Sequence, residues 1–253
     1  MTSLEAIGIP ASALCLFAHP DDPEFTCGGT IARWTGAGCR VGYVLMTNGR
    51  AGVAGLGDRM ITDDELIPMR QEEQRRAGAV LGIQPEDIVF FDDHDGELIH
   101  TLELRKRLVR EIRRFKPEVA ILFDPQRRLL PGYVQHPDHW TSGEAALAAL
   151  FPLAGNRQSF PDLLDEGLLP HSVRDLYLVS AAAPNLRLDI SDTIDRKFEA
   201  MSEHRSQVAD PERLRELMRT MGRMAAGDSG FAYAELFHFI RIGARDLVLD
   251  PLG

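Results

Sequence analysis

The sequence is poor in cysteine, with three residues among 253 and no C-x-x-C pair. An odd number of cysteines without metal-ligand spacing is neither a disulfide framework nor a cysteine-based zinc site. Cys15, Cys27 and Cys39 are therefore expected to be buried, reduced thiols of a protein that stays in the cytoplasm.

Long apolar runs and an excess of positive charge are missing as well. The first 22 residues lack a basic segment, and their apolar run ALCLFA is too short for a signal peptide or a membrane span. The sequence thus predicts a cytoplasmic protein without a membrane anchor. Lys and Arg number 28 against 38 Asp and Glu, a net charge of −10, which argues against nucleic acid or an anionic membrane as the main partner.

Short apolar runs alternate with helix-period segments along the chain. This alternation predicts an α/β fold, with a Rossmann-like, mostly parallel sheet covered by helices on both faces. Since no linker rich in Pro, Gly or Ser divides the chain, one domain over 1–253 is expected, with 151–170 as a loop excursion. The predicted strands are 14–18, 41–47, 88–91, 119–123 and 176–180, and the predicted helices are 28–38, 69–81, 101–115 and 192–203.

A histidine and two aspartates follow the first predicted strand directly, in A-H-P-D-D at 18–22. Ligands of open parallel sheets bind beyond the carboxyl ends of the strands. His19 and Asp22 offer an imidazole and a carboxylate, donors that suit zinc or a similar divalent ion. Asp21 is free for another task, such as taking a proton from a metal-bound water. Taken alone, the stretch is equally explained as a polar turn that caps the next helix.

A second motif, H-P-D-H at 136–139, follows the fourth predicted strand in a predicted loop. Either His136 or His139 can join His19 and Asp22, which gives three N/O ligands and the open fourth position of a catalytic zinc. Taken alone, the motif is explained as a pair of surface histidines. Because both motifs fall at strand ends of one sheet, a metal site is favoured.

Together the two motifs resemble the PIG-L/LmbE-like family of zinc-dependent N-deacetylases. Its members include deacetylases of N-acetylglucosaminyl-phosphatidylinositol, of the mycothiol and bacillithiol pathways, and of diacetylchitobiose. Two positions depart from the family pattern: Arg50 stands where many bacterial members carry an acid, and Trp140 where Arg is frequent. Further matching segments are spread over most of the chain: Gly28-Gly29-Thr30, Thr47-Asn48-Gly49, Arg70 with Glu73, Asp95-Gly96, and Lys197 with His204-Arg205-Ser206-Gln207.

The resemblance implies an LmbE-like hydrolase that removes an N-acetyl or other N-acyl group from an amino sugar or its conjugate by attack of a zinc-bound water. It implies that His19, Asp22 and His139 ligate zinc, although Fe²⁺ or another divalent ion can occupy the same ligands. Asp21 is then the general base, and His136 stabilises the oxyanion or protonates the leaving amine. Weaker candidates for substrate contact, each with a local structural alternative, are Asn48, Arg50, Arg70, Asp95, Trp140 and His204.

Two other functions stay open at this point. A zinc amidase acting on a larger non-sugar amide or a natural-product intermediate would use the same residues, with Arg50, Trp140 and the excursion at 151–170 near the active site shaping its pocket. A non-catalytic nucleotide-binding or scaffold protein is the alternative of another class, but G-x-G-x-x-G spacing is missing. The expected partner is a small N-acetylated amino sugar or conjugate, and the resemblance also implies a homo-oligomer.

Overall fold

The central feature of the fold is a seven-stranded sheet. The computed structural model describes residues 8–130 and 132–242. Its strands are β1 (Ser12–Phe17), β2 (Arg40–Thr47), β3 (Ile88–Asp93), β4 (Val119–Phe123), β5 (Leu129–Leu130), β6 (Tyr133–Val134), β7 (Asp175–Val179), β8 (Leu186–Asp189) and β9 (Ala234–Arg241). The sheet has the order β3-β2-β1-β4-β7-β9-β8, and β5 and β6 form a separate hairpin. Five neighbouring strands, β3, β2, β1, β4 and β7, run parallel, whereas β9 is antiparallel to β7 and β8. The predicted, mostly parallel α/β sheet is confirmed.

Helices cover both faces of this sheet. They are α1 (Asp22–Gly36), α2 (Asp63–Val80), α3 (Leu102–Phe115), α4 (Pro137–Ala148), α5 (Asp162–Asp165), α6 (Ile194–Ser202) and α7 (Pro211–Ala226). Alternate residues of β1 enter different cores: Cys15 and Phe17 pack in one with Trp34 of α1, and Leu14 and Leu16 in the other with residues of α3 and α4. Double-sided burial explains the continuous apolar strands. Over residues 8–130 and 132–242, no helix has the length and apolar character to cross a membrane.

The apolar periodicity of α3 predicts this helix almost to the residue. Thr101 is its N-cap, and the hydroxyl accepts a hydrogen bond from the Leu104 N–H at 3.0 Å. The helix ends at Phe115, and its C-cap Lys116 adopts a left-handed conformation directly before Pro117. Both ends therefore carry ordinary capping signals, and the prediction of a helix over 101–115 is confirmed.

The C-terminal third of the described chain differs from the prediction. The strands β8 and β9 and the helix α7 are additional elements, and β9 runs against the direction of its neighbour β7. The outer face of α7 carries exposed apolar side chains, Leu217, Met221 and Met224. The sequence of α7 is nevertheless strongly amphipathic, so its apolar periodicity was an available signal that the prediction did not use.

The excursion at 151–170 lies elsewhere than predicted. The buried Arg113 of α3 donates hydrogen bonds to the carbonyls of Leu153, Ala154, Asn156 and Ser159. This anchoring and the shared apolar core tie the segment to α3, and no residue of 151–170 lines the cavity at the predicted site. The expectation that this excursion borders the active site is wrong.

The strand order reverses at β1, with β2 and β3 on one side and β4 and β7 on the other. At such a switch point the connections leave the sheet in opposite directions, and a crevice opens outside the carboxyl ends of the strands. A-H-P-D-D follows β1, and H-P-D-H follows the β5–β6 hairpin that comes after β4. The fold therefore brings the two motifs, more than a hundred residues apart, to one crevice.

Candidate metal centre and its cavity

The turn after β1 is held in an unusual backbone conformation. Asp21 precedes α1 with φ of 98°, a value that residues with a side chain rarely adopt. Its N–H donates to Gln74 Oε1 at 2.8 Å, and the guanidinium of Arg70 donates to the Pro20 carbonyl at 2.6 Å and to Asp21 Oδ2 at 3.2 Å. Such strain costs about 1 to 3 kcal/mol and persists where the surroundings enforce it. Here two residues of α2 enforce it.

The second motif begins a helix, so the prediction that it lies in a loop is wrong. His136 is the N-cap of α4, and its Nδ1 accepts a hydrogen bond from the Asp138 N–H at 3.3 Å. Gly143 lets α4 approach the end of β4 closely, because a Cβ there would collide with the Phe123 carbonyl oxygen. The imidazole of His139 stacks on the Phe123 ring at 4.1 Å between centroids. The packing of α4 on β4 thus orients His139.

The side chains of both motifs converge on one point. Asp22 Oδ2 lies 3.3 Å from His19 Nδ1, and Asp22 Oδ1 lies 3.1 Å from His139 Nε2. The imidazoles of His19, His136 and His139 also approach one another, each with a ring nitrogen within 4.8 Å of the others. Donor atoms on one tetrahedral zinc are about 3.3 Å apart. The spacing of Asp22 from the two histidines therefore fits a shared divalent cation.

A pair of carboxylates lies behind His19. Its Nε2 is 3.2 Å from both Asp95 Oδ1 and Asp138 Oδ2. Asp138 is itself fixed, because it accepts hydrogen bonds from the N–H groups of Gly96 and Leu98 at 2.7 and 3.3 Å. A histidine that ligates a metal through one nitrogen commonly donates its other N–H to a carboxylate. Nε2 of His19 thus faces Asp95 and Asp138, and Nδ1 faces Asp22.

The charges at this point are unbalanced without a cation. Burial by itself lowers the pKa of His19, but the carboxylates of Asp22, Asp138 and Asp95 raise it well above its ordinary value. Burial raises the pKa of Asp22, but His139 and His19 lower it strongly below its ordinary value. Metal ligands must be deprotonated to bind, so a bound divalent cation would take the place of these protons. The nitrogen and oxygen donors fit such an ion.

Asp21 differs from its neighbour Asp22 in its surroundings. Burial raises the pKa of Asp21, opposed by the guanidinium of Arg70. Its carboxylate faces the same cavity as the metal-ligand candidates. A carboxylate with a raised pKa beside a metal site has the properties of a general base.

The cavity at the cluster has a volume of about 420 Å³. Of the weaker sequence candidates, Arg70 and Asp95 line it. Beyond the motif residues, its walls are Phe25, Thr26, Ala51, Gly52, Phe123, Tyr133, Ser180 and Gln207. The cavity thus joins segments from β1, β4, β7 and the hairpin of β5 and β6.

The other weaker candidates are placed away from the cavity wall. Asn48 accepts a hydrogen bond from the Arg50 N–H at 3.2 Å, as expected of a turn residue. Arg50 forms ion pairs with Asp63 and Glu97 at 3.1 and 3.0 Å. Trp140 carries the guanidinium of Arg127 over its ring at 5.3 Å. In the structure, each of the three has a local structural partner.

His204 belongs to a buried polar network behind Asp21. Its Nε2 lies 3.2 Å from Glu24 Oε2, and Glu24 Oε1 accepts hydrogen bonds from Gln74 at 2.9 Å and Tyr43 at 3.1 Å. Gln74 in turn holds the backbone of Asp21. The sequence prediction missed Glu24 and Gln74, although Arg70 and Gln74 stand four residues apart on one face of α2, and this spacing was the available signal.

Comparison with known proteins identifies the family of the chain that carries this site. The sequence model of the PIG-L family, described as GlcNAc-PI de-N-acetylase, matches residues 14–150. The chain belongs to the PIG-L family. The predicted resemblance is thereby confirmed, and both motifs of this PIG-L chain fall within the matched segment.

Relatives extend the similarity beyond that segment. The PIG-L chain is 36% identical to a diacetylchitobiose deacetylase of Thermococcus kodakarensis over 231 residues, covering 90% of this chain and 82% of the relative. It is 28% identical to a probable N-acetyl-alpha-D-glucosaminyl L-malate deacetylase 2 of Bacillus anthracis, covering 78% and 81%. The N,N'-diacetylchitobiose deacetylase structure from Pyrococcus horikoshii, complexed with the inhibitor MPG, superimposes with a TM-score of 0.82 at 31% identity, covering 92% and 84%.

Proposed function

We propose that this protein is a zinc-dependent N-deacetylase that hydrolyses the acetamide of an N-acetylated amino sugar or its conjugate. The observation that carries the proposal is the convergence of His19, Asp22 and His139 in an open cavity. The named activities of the relatives support the reaction, since these proteins are deacetylases of N-acetylated amino sugars. We assign His19, Asp22 and His139 as the ligands.

Asp21 is assigned as the general base. A bound divalent metal polarises an amide carbonyl and lowers the pKa of water towards neutrality. Asp21 takes the proton of the attacking water, and its raised pKa makes it a better proton acceptor than an ordinary aspartate. Arg70, 3.2 Å from Asp21 Oδ2, keeps the carboxylate turned into the cavity.

His136 is assigned to the stabilisation of the oxyanion. Since its Nδ1 accepts the backbone N–H of Asp138, its proton sits on Nε2. Burial and then the charge of His19 lower the pKa of His136, so the imidazole is neutral at pH 7. Its Nε2–H then donates a hydrogen bond to the oxygen that becomes negative, and the proton that Asp21 has taken from the water passes to the departing amine. The N-termini of α1 and α4 add positive potential at this point.

The proposal is tested by metal content and amine release in the same preparation. We expect about one zinc per chain and release of amine from N-acetylglucosamine or diacetylchitobiose, as a single catalytic site requires. His139→Ala removes a ligand, and we expect it to lose both zinc and activity. Glu144→Gln, an exposed acid on the same helix, is the matched control. A protein that takes up no divalent metal, or a fully active His139→Ala, would contradict the proposal.

A further inference from the structure

Three fully buried polar side chains lie behind the turn that carries Asp21. Glu24 belongs to the first turn of α1, Gln74 to α2, and His204 to the segment between α6 and α7. These three residues do not line the cavity at the metal cluster. Since they do not reach a bound substrate, any effect that they have on the reaction passes through a residue that does.

The hydrogen bonds of Gln74 fix the orientation of its amide group. The Asp21 backbone N–H can only donate, so the amide atom that lies 2.8 Å from it is Oε1. At the other end, Nε2 donates to Glu24 Oε1 at 2.9 Å. Turning the amide over would set N–H against N–H and oxygen against carboxylate. Gln74 therefore has a single orientation that satisfies both partners.

Glu24 is held in its turn from two other elements. Its Oε1 accepts a hydrogen bond from the Tyr43 hydroxyl of β2 at 3.1 Å, and its Oε2 lies 3.2 Å from His204 Nε2. A buried polar group left without its partner is costly, and linked hydrogen bonds strengthen one another. The contacts from His204 through Glu24 to Gln74 thus form one rigid chain that ends on the backbone of Asp21.

The backbone of Asp21 needs this support. Its φ of 98° lies in the region that residues with a side chain avoid. Arg70 holds the carbonyl before Asp21 and the Asp21 carboxylate, whereas Gln74 holds the Asp21 N–H. Without the bond from Gln74, the backbone can relax towards an ordinary φ. Because φ sets the direction of the side chain, this relaxation would turn the carboxylate away from the cavity.

We infer that Gln74 is a positioning residue for Asp21, and that the buried pair of Glu24 and His204 fixes Gln74 for this task. The inference rests on the proposed function, in which Asp21 is the general base. The hydrogen bonds of Gln74 go to Asp21 and Glu24 and to none of the assigned zinc ligands. The rate of the chemical step should therefore depend on Gln74, whereas zinc binding and substrate binding should not.

The first test is Gln74→Leu, which keeps a similar size and removes both hydrogen bonds. The substrate is whichever of N-acetylglucosamine and diacetylchitobiose the wild-type enzyme deacetylates. We expect kcat to fall about 10- to 100-fold, because a small displacement of a reacting group is costly. KM and the zinc content should stay at their wild-type values. The matched control is Gln71→Leu, since Gln71 is partly exposed on the same helix and does not line the cavity.

The second test exchanges the amide and the carboxylate. Gln74→Glu alone sets two carboxylates against each other, and we expect it to lower kcat as Gln74→Leu does. In Gln74→Glu/Glu24→Gln, the carboxylate accepts the Asp21 N–H and the amide donates to that carboxylate, so both are paired again. We expect kcat of this double variant to return to within about threefold of the wild type, as coupled sites require. This comparison decides the question even where Gln74→Leu does not fold.

Four results would overturn the inference. If Gln74→Leu keeps the wild-type kcat, Arg70 holds Asp21 without help. If Gln74→Leu loses zinc together with activity, the network supports the whole metal site. If the double variant stays as slow as Gln74→Glu, kcat does not depend on these hydrogen bonds. In these three cases the wild type is active and the proposed function stands. If the zinc-loaded wild type releases no amine from either sugar, the proposed function fails and the inference fails with it.

Discussion

The parallel sheet has an amino edge, where its strands begin, and a carboxyl edge, where they end. The two edges differ in how their buried carboxylates are neutralised. At the amino edge, Asp175 is fully buried and accepts hydrogen bonds from Arg174 at 2.8 Å and from Arg241 at 2.7 and 3.1 Å. At the same edge, Arg40 binds the buried Asp87 through two hydrogen bonds at 2.9 and 2.6 Å. Each buried carboxylate there has its own arginine.

At the carboxyl edge the carboxylates outnumber the permanent positive charges. Asp22, Asp95 and Asp138 surround His19, and Arg70 is the guanidinium paired with Asp21 and Asp95. Buried charge without a partner is costly, so proteins keep it mainly where it performs a task. The difference indicates that the amino edge stabilises the fold with the chain alone, whereas the carboxyl edge holds the donors that we propose for a cation.

The largest effect is expected for Asp21→Asn. The amide keeps the shape of the side chain but accepts no proton, so we expect kcat to fall by about 10² to 10⁴. Because Asp21 is not an assigned ligand, the zinc content should stay unchanged. The measurement is the rate of amine release together with metal analysis of the same sample.

The control for this variant is Asp92→Asn, which removes a carboxylate that is 99% exposed at the same edge of the sheet. It should leave the rate unchanged. A zinc-loaded Asp21→Asn enzyme with the wild-type rate would show that the base is another group, and the comparison of the two edges would then rest on the metal alone.

A smaller effect is expected for Asp138→Asn. Loss of the carboxylate behind His19 weakens the orientation of the ligand, and such changes cost about 10- to 100-fold in metal affinity. Zinc at 100 times its Kd should stabilise the wild-type protein by about 2.7 kcal/mol. At the same zinc concentration, the variant should gain less.

The measurement is thermal unfolding of metal-free protein titrated with zinc. The matched control is Glu144→Gln, an exposed acid on α4. If Asp138→Asn responds to zinc as the wild type does, Asp138 serves only the loop at Gly96 and Leu98, which its carboxylate also binds.

Sequence reasoning predicted the parts of this site that depend on short-range patterns. The strands leading to His19 and His136 are continuous apolar runs, and the spacing within each motif suits a metal. Asp138, between the two histidines of its motif, was not among the predicted site residues. Its partner is His19, 119 positions away, and no local pattern contains that distance.

Buried polar faces were also out of reach of the sequence. α2 buries Arg70, Glu73 and Gln74 towards the site, so its core-facing side is largely polar. Apolar periodicity locates a helix by its apolar face and therefore gives no information about a buried polar face. The reversed direction of β9 is similar, because a strand pattern carries no information about whether its neighbour runs parallel or antiparallel.

At the amino edge, Asp175→Asn is expected to lower the free energy of unfolding by about 2 kcal/mol. This is less than the loss for a fully buried pair, because Arg174 and Arg241 are partly exposed and can return to water. Activity and zinc affinity should not change. The measurement is denaturant unfolding, and Asp195→Asn, which removes a surface pair with Arg219, should cost about 0 to 1 kcal/mol.

The smallest effect is expected for the pH dependence of the stability that Asp175→Asn loses. Burial raises the pKa of Asp175, but hydrogen bonds from Arg241 and Arg174 outweigh burial and hold its pKa below the ordinary value. Above about pH 4, the ordinary value for an unfolded aspartate, the carboxylate is charged in both states and the ion pairs contribute fully. As the pH falls through the lowered pKa of the folded state, the unfolded chain binds its proton first and the contribution is lost. The stability difference between wild type and Asp175→Asn should therefore shrink between about pH 5 and pH 3.

Unfolding in denaturant at each pH measures this stability difference, with Asp92→Asn as the control. A difference that stays constant on acidification would mean that Asp175 stabilises this edge by its shape and hydrogen bonds, and the contrast between the two edges would no longer be one of charge.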